Sequence, residues 1–159
     1  VPQCSRTRKV GGRGTWEASD LDFLLKGLSS SLKFNSKRIY LTGNSMGGYG
    51  SWTWGGKSPQ HFAAIAPVVG GIGPGGPKDV TPDLDQWATN LAKVPIYAFA
   101  GANDRVVPAE RSERMVNAIR NAGGKLAKIK VYQDQGHNAR QVVYASKEFY
   151  DWMFAQKRK

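Results

Sequence analysis

The stretch YLTGNSMGGYGSW (40–52) passes from an apolar run to a serine set between glycines. "RIYLTG" (38–43) is a short β-branched and aromatic run ending in glycine, which predicts a buried strand. "YGSWTWGGKSP" after the glycines predicts a short helix. A serine at such a junction can be there for backbone tolerance alone. It can also be a nucleophile lifted above the end of a sheet, and then its neighbours two positions away must be small enough for the backbone to close up. Gly43-Asn44-Ser45-Met46-Gly47 fits that second pattern, G-x-S-x-G, in the context it requires. In this reading the N–H of Met46 points at a substrate carbonyl oxygen, and the helix start adds the positive end of its dipole. The pattern is only moderately specific by itself. A serine hydroxyl is a weak nucleophile and needs a base and an orienting carboxylate elsewhere in the chain.

Working outward, residues 1 to 15 read as loop, since Pro2, Gly11, Gly12 and Gly14 break any period. Leu21, Phe23, Leu24, Leu25, Leu28 and Leu32 recur at helical spacing and predict a helix over 17–33. "FAAIAPVVGG" (62–71) predicts a second strand, and the breakers in "GIGPGGPKDVTP" predict a loop. "VPIYAFAG" (94–101) predicts a third strand. Met115, Val116 and Ile119 mark a helix over 108–122, closed by Gly123 and Gly124. A fourth strand follows over 127–136, then a closing amphipathic helix over 139–156. Strands alternating with helices imply βαβ units, a mostly parallel sheet and helices on both faces. No repeat or linker divides the 159 residues, so a single α/β domain over 1–159 is expected.

Composition narrows the possible functions. The chain is 40% hydrophobic with five Trp, six Tyr and six Phe, enough for a true core. No stretch approaches the roughly 18 apolar residues of a membrane span. One cysteine, Cys4, excludes an internal disulfide and reads as a spectator thiol. With two histidines in the chain, it leaves no metal cluster to propose. The 23 Lys plus Arg against 12 Asp plus Glu give +11, but the cations are spread along the chain apart from its ends. No aromatic-interleaved basic motif accompanies them. The charge reads as solubility and surface attraction, and no nucleic-acid partner is expected.

Candidate partners for Ser45 stand where parallel sheets hold their site residues, beyond the carboxyl ends of strands. "FAGANDRVVP" places Asp104 just past the third predicted strand, and "DQGHNAR" places His137 just past the fourth. Serine, acid and histidine then follow in that chain order, each after a separate strand. His61, in "SPQHFAAI", is the rival base, but it precedes a strand and reads as a surface or helix-end residue. Asp134 is the rival acid, close to the end of the histidine's own strand.

These residues carry a resemblance. "RIYLTGNSMGGYGSW", "FAAIAPVVGG", "VPIYAFAGANDRVVP" followed by "RMVNAIRNAGG", and "GHN" followed by "EFYDWMFAQ" resemble the α/β-hydrolase superfamily. More narrowly, they resemble carboxylesterases and phospholipase-like esterases close to dienelactone hydrolases, feruloyl esterases and polyhydroxybutyrate depolymerases. The resemblance runs from about Pro2 to the end of the chain. It implies Ser45 as nucleophile, Asp104 as acid, His137 as base, Met46 as an oxyanion donor, and no cofactor. The sequence also departs from the pattern. Such proteins usually carry three or four further strands and a helix before the point corresponding to Val1, and "VPQC" resembles the end of their fourth strand. An N-terminally truncated α/β-hydrolase fold, reduced to about the last four strands, is therefore expected. It would lack the loop that supplies the second oxyanion N–H. Ala100-Gly101 stands where His-Gly is frequent.

The functional expectation is a serine esterase that hydrolyses small carboxylic esters through an acyl-enzyme. The loop 71–90 would serve as lid or acyl-pocket wall, too short for long-chain lipids. The rival reading is a hydrolase remnant kept as a binding or interaction module. If the sheet starts at "RIYLTG", that strand is an edge and Ile39 and Leu41 lose cover on one side. A homodimer or larger homo-oligomer built on that edge and the 1–15 segment is then expected.

Overall fold

The computed structural model describes residues 9–10, 13–74 and 76–159. A two-residue ribbon, β1 (Lys9–Val10) and β2 (Arg13–Gly14), pairs antiparallel. Then come α1 (Ala18–Ser31), β3 (Tyr40–Asn44), α2 (Met46–Lys57), a 3-10 turn (Pro59–His61), β4 (Ala64–Val68) and α3 (Leu84–Leu91). The chain continues through β5 (Ile96–Gly101), α4 (Ala109–Asn121), β6 (Ala127–Tyr132), α5 (Arg140–Ala145) and α6 (Lys147–Ala155). Strands β3-β4-β5-β6 lie side by side in that order, every pair parallel. This is the expected four-stranded α/β sheet.

Both faces of the sheet are covered, so its inner strands are apolar throughout rather than alternating. All five residues of β4 and all six of β5 are buried. Their period of two still distributes them between two cores. Ile65, Ile96 and Ala98 pack under α1 to α4 with Trp52, Leu91, Met115 and Ile119. Ala66, Val68, Tyr97 and Phe99 pack under α5 and α6 with Val143, Phe149 and Met153. The Tyr97 hydroxyl donates to Glu148 on α6, and burial together with that carboxylate pushes its pKa up to about 12.

Four expectations need correction. β3, expected to be a buried strand, stands at the edge of the four-stranded sheet, and none of its five residues is buried. Residues 9–10 and 13–14 form a ribbon where only loop was read; Cys4 and the rest of 1–8 lie outside the described residues. The 71–90 loop contains most of α3, which buries Trp87, Ala88 and Leu91 against α2 and α4. The closing helix breaks at Ser146, which is extended (φ −83°, ψ 122°), so α5 and α6 bend around the sheet. The first helix forms as expected, yet it buries only Ala18 and Leu21. Phe23 is 80% and Leu32 59% exposed among the described residues.

Polar contacts add to the hold that Ala18 and Leu21 give α1. The Asp22 carboxylate accepts from Trp54 Nε1 at 2.7 Å and Ser58 Oγ at 2.8 Å, and His61 Nε2 lies 3.1 Å from it. Asp22→Ala leaves the indole N–H and the buried Ser58 hydroxyl without their acceptor. The expected loss is about 1–2 kcal/mol, seen as a lower denaturant midpoint at unchanged slope. A midpoint equal to wild type would show that α1 is held by other contacts.

Candidate active site

Ser45 follows the last residue of β3, Asp104 lies three residues beyond β5, and His137 lies five beyond β6. Because the strands are parallel, all three ends open on one side of the sheet, and the three side chains meet there. His137 Nε2 is 2.8 Å from Ser45 Oγ, and His137 Nδ1 is 2.8 Å from Asp104 Oδ2.

The local backbone explains why the serine is available. Ser45 is the N-cap residue of α2, a position where serine ordinarily turns its oxygen onto the first free N–H groups of the helix. Here it makes no capping bond, because its backbone sits at φ 52°, ψ −111°. This is a sparsely populated conformation costing roughly 1–3 kcal/mol. Its N–H donates to Val68 O at 2.9 Å and its carbonyl accepts from Tyr49 at 3.0 Å, which lock the turn. The hydroxyl is left to the histidine.

The two glycines of the motif are not equivalent. A Cβ on Gly43 would lie 2.3 Å from the Gly47 carbonyl oxygen, whereas a Cβ on Gly47 would meet nothing within 4 Å. The close approach demanded at this turn therefore rests on Gly43 alone. Met46 opens α2 directly after the serine, so the first free N–H groups and the positive end of the helix dipole lie beside Oγ.

Asp104 is held on both oxygens. Oδ1 accepts from the backbone N–H of Val106 at 2.8 Å and Val107 at 2.9 Å, Oδ2 faces the imidazole, and the side chain is fully buried. A carboxylate offers only acceptors, so Nδ1 of His137 carries the proton and Nε2 is left to accept from Ser45. The two loops are braced against each other. Asn103 N–H donates to Gln135 O at 3.0 Å, and the Asn103 amide donates to Gln133 O at 2.9 Å. Gly101 permits this contact, since a Cβ there would lie 2.5 Å from both Gln135 O and Gly136 O. The rivals stand apart. His61 ends the 3-10 turn beside Asp22, and Asp134 is exposed in the turn after β6.

A cavity of about 290 Å³ opens beside Ser45 and Met46, walled by Trp16, Tyr49, Trp87, Val106 and Val107. Part of its rim comes from Gly73, Pro74, Thr81 and Pro82, within the 71–90 segment. Trp87 was among the wall residues missed from sequence. Its signal was present in Leu84, Trp87, Ala88 and Leu91, at i, i+3, i+4 and i+7, but the preceding run of glycines and prolines concealed it. Among the described residues no cluster of three or more His, Cys, Asp or Glu could hold a metal, and no helix is long and apolar enough to cross a membrane.

Comparison with known proteins agrees with this architecture. Over 109 residues the chain is 33% identical to a Salmonella typhimurium protein described as a "Putative carboxymethylenebutenolidase", covering 65% of this chain and 37% of that one. A Methylorubrum extorquens protein of the same description is 30% identical over 125 residues, covering 75% and 40%. The chain thus spans well under half the length of these relatives. The crystal structure of a thermostable esterase superposes with a TM-score of 0.76 at 28% identity, over 88% of this chain and 36% of that one. Residues 14–145, which include the serine turn and both partner loops, match the profile of the dienelactone hydrolase family. With the parallel sheet and the serine turn at its carboxyl end, that match makes the chain a member of the dienelactone hydrolase family, built on the α/β-hydrolase fold.

Proposed function

We propose that this chain is a carboxylic ester hydrolase in which Ser45, His137 and Asp104 act as a triad. The observation that carries this reading is the serine's double displacement: its hydroxyl is withdrawn from capping α2 and lies 2.8 Å from a histidine held by a buried carboxylate. His137 Nε2 takes the proton as Ser45 Oγ adds to the ester carbonyl, and Asp104 stabilises the imidazolium that forms. The oxyanion develops against the Met46 N–H and the start of α2. His137 then passes the proton to the departing alcohol, leaving an acyl-enzyme that water hydrolyses by the same route reversed. The cavity volume sits at the lower end of the range for small-ligand sites, which favours compact acyl groups.

A fluorophosphonate probe tests the reading directly, because it labels only an activated serine. The expected result is one adduct, mapped to Ser45 and lost in the Ser45→Ala variant. An unlabelled, folded protein would favour the non-catalytic module.

We further infer self-association through the β3 edge. On its outer side β3 has no partner strand among the described residues. At this strand Tyr40 packs against Phe154, which is itself exposed. Sedimentation at micromolar concentration is expected to show a dimer or larger species, and Phe154→Glu is expected to shift it towards monomer. A wild-type protein that is monomeric and fully active would overturn the inference.

A further inference from the structure

We propose that the end of the sheet opposite Ser45 is a docking surface for an anionic lipid membrane. This goes beyond the hydrolase reading and stands without it. The surface is made by topology. In a sheet whose strands are all parallel, every segment that leads into a strand arrives at the same end. Residues 32–39 lead into β3, 58–63 into β4, 92–95 into β5 and 122–126 into β6. Backbone bonds lay them side by side: Ala63 N–H donates to Ile39 O at 2.8 Å, Ile65 to Pro95 O at 3.0 Å, and Ile96 to Leu126 O at 3.1 Å. The tail 156–159 is tied to the same side. Arg158 N–H donates to Lys37 O at 2.9 Å, and its guanidinium donates to Gln60 O and, at 3.3 Å, to Ser36 O.

These segments carry one sign of charge. Lys33, Lys37, Arg38, Lys93, Lys125 and Lys157 are all exposed there, and none of the five stretches contains an Asp or Glu. Asp22, on α1, reaches Ser58 at the border of this face, but its oxygens are taken up by Trp54, Ser58 and His61. Carboxylates gather at the other end of the sheet. They stand in the first turns of helices (Asp20, Asp85, Glu110, Glu148) and past the ends of strands (Asp104, Asp134). Helix dipoles favour this division, since they stabilise carboxylates at helix starts and cations at helix ends. Cations that look spread along the sequence are thus collected on one face in space. Exposed apolar side chains stand among them: Leu32 is 59%, Phe34 44% and Leu126 55% exposed. That mixture selects the partner. The phosphates of a nucleic acid would satisfy the cations but give Leu32 and Leu126 nothing to bury in. An anionic bilayer satisfies both, drawing the lysines to its headgroups and taking the apolar side chains into the boundary beneath them. Strands of five and six residues, roughly 17–20 Å long, separate this face from Ser45, so the serine side stays open to water while the face is docked.

The test is co-sedimentation with vesicles of about seven parts phosphatidylcholine to three of phosphatidylserine. In about 0.1 M salt wild type is expected to bind them at least about tenfold more tightly than vesicles of phosphatidylcholine alone, and to leave them in about 1 M salt. Lys37→Glu/Lys125→Glu is expected to lose at least about tenfold in affinity. Lys78→Glu/Arg114→Glu makes the same charge change in the loop after β4 and the first half of α4, and is expected to lose less than about threefold. Phe34→Ser/Leu126→Ser is expected to weaken vesicle binding at least about fivefold while leaving retention on duplex DNA unchanged. The altered side chains are all exposed, and a denaturant midpoint equal to wild type verifies that each variant is folded. Failure of wild type to bind the anionic vesicles would overturn the proposal. Equal losses in the two charge-reversal pairs would also overturn it, by tracing binding to net charge. DNA binding tighter than vesicle binding, with vesicle binding indifferent to Phe34 and Leu126, would assign the face to nucleic acid instead. None of these outcomes bears on Ser45, whose labelling by the fluorophosphonate probe is read separately.

Discussion

Ser45→Ala is expected to reduce kcat/KM for a short p-nitrophenyl ester by at least about 10⁴-fold while the protein stays folded. His137→Ala is expected to fall comparably, because members of a triad act as a unit and their losses do not add. The structural basis is the pair of 2.8 Å contacts that run from Ser45 through His137 to Asp104. Without the hydroxyl no acyl-enzyme forms; without the imidazole the hydroxyl stays protonated. What survives in either variant is whatever the Met46 N–H and the cavity beside it do for attack by water. The double variant should therefore be no slower than the slower single one. Residual activity within tenfold of wild type in Ser45→Ala would sink the triad assignment. So would losses in the double variant that multiply. The same substitution removes the reason for the backbone conformation at φ 52°, so Ser45→Gly should be inactive and more stable than Ser45→Ala.

Gly43→Ala is expected to be the most damaging single methyl in the serine turn. Its Cβ would fall 2.3 Å from the Gly47 carbonyl oxygen and 2.4 Å from the carbonyl carbon, and no side-chain rotation can relieve a clash between two backbones. Either β3 parts from α2 or the turn opens. Overpacking of this kind costs about 3 kcal/mol, a large share of a typical net stability of about 5–15 kcal/mol. Opening the turn also moves Oγ away from His137, so activity should fall together with stability. Gly47→Ala is the control. It meets open space inside a helix, where alanine is preferred to glycine by up to about 1 kcal/mol, and it should fold at least as well as wild type. Chemical denaturation of the two variants side by side decides the matter. Equal destabilisation would mean that the turn depends on both glycines, as the sequence motif alone suggests.

Much of this architecture was legible in the residues. The apolar runs that end in glycine at 43 and 101 marked strands; the second, β5, is buried along its whole length, whereas the first, β3, stands at the edge of the sheet with none of its residues buried. Asp104 and His137 stood out because each follows a strand end in a sheet whose parallel connections had already been inferred. The errors fall where local pattern and tertiary contact part company. α3 was hidden because its four apolar positions follow a dense run of breakers, and its stability comes from packing between α2 and α4 rather than from propensity. The single helix read over 139–156 breaks at Ser146 because Val143 and Phe149 both face the same sheet surface, which a straight helix does not follow.

By itself the sequence determined the four strands of the sheet and their order, most of the helices between them, the serine turn and two candidate partners for that serine. Those are written in spacing: a period of two or 3.6, a small residue two positions before the serine, a polar residue just past a strand. Only the tertiary structure decided which of the motif's glycines is sterically required and which acid and base of the rival pairs meet the serine. It alone decided that three aromatic rings from distant segments wall one cavity. The physical reason is the range of the interactions. Spacing reports what a residue does to its own turn or strand. The Asp104–His137 contact and the gathering of Trp16, Tyr49 and Trp87 around one cavity each join side chains from different elements, at distances that no local pattern encodes.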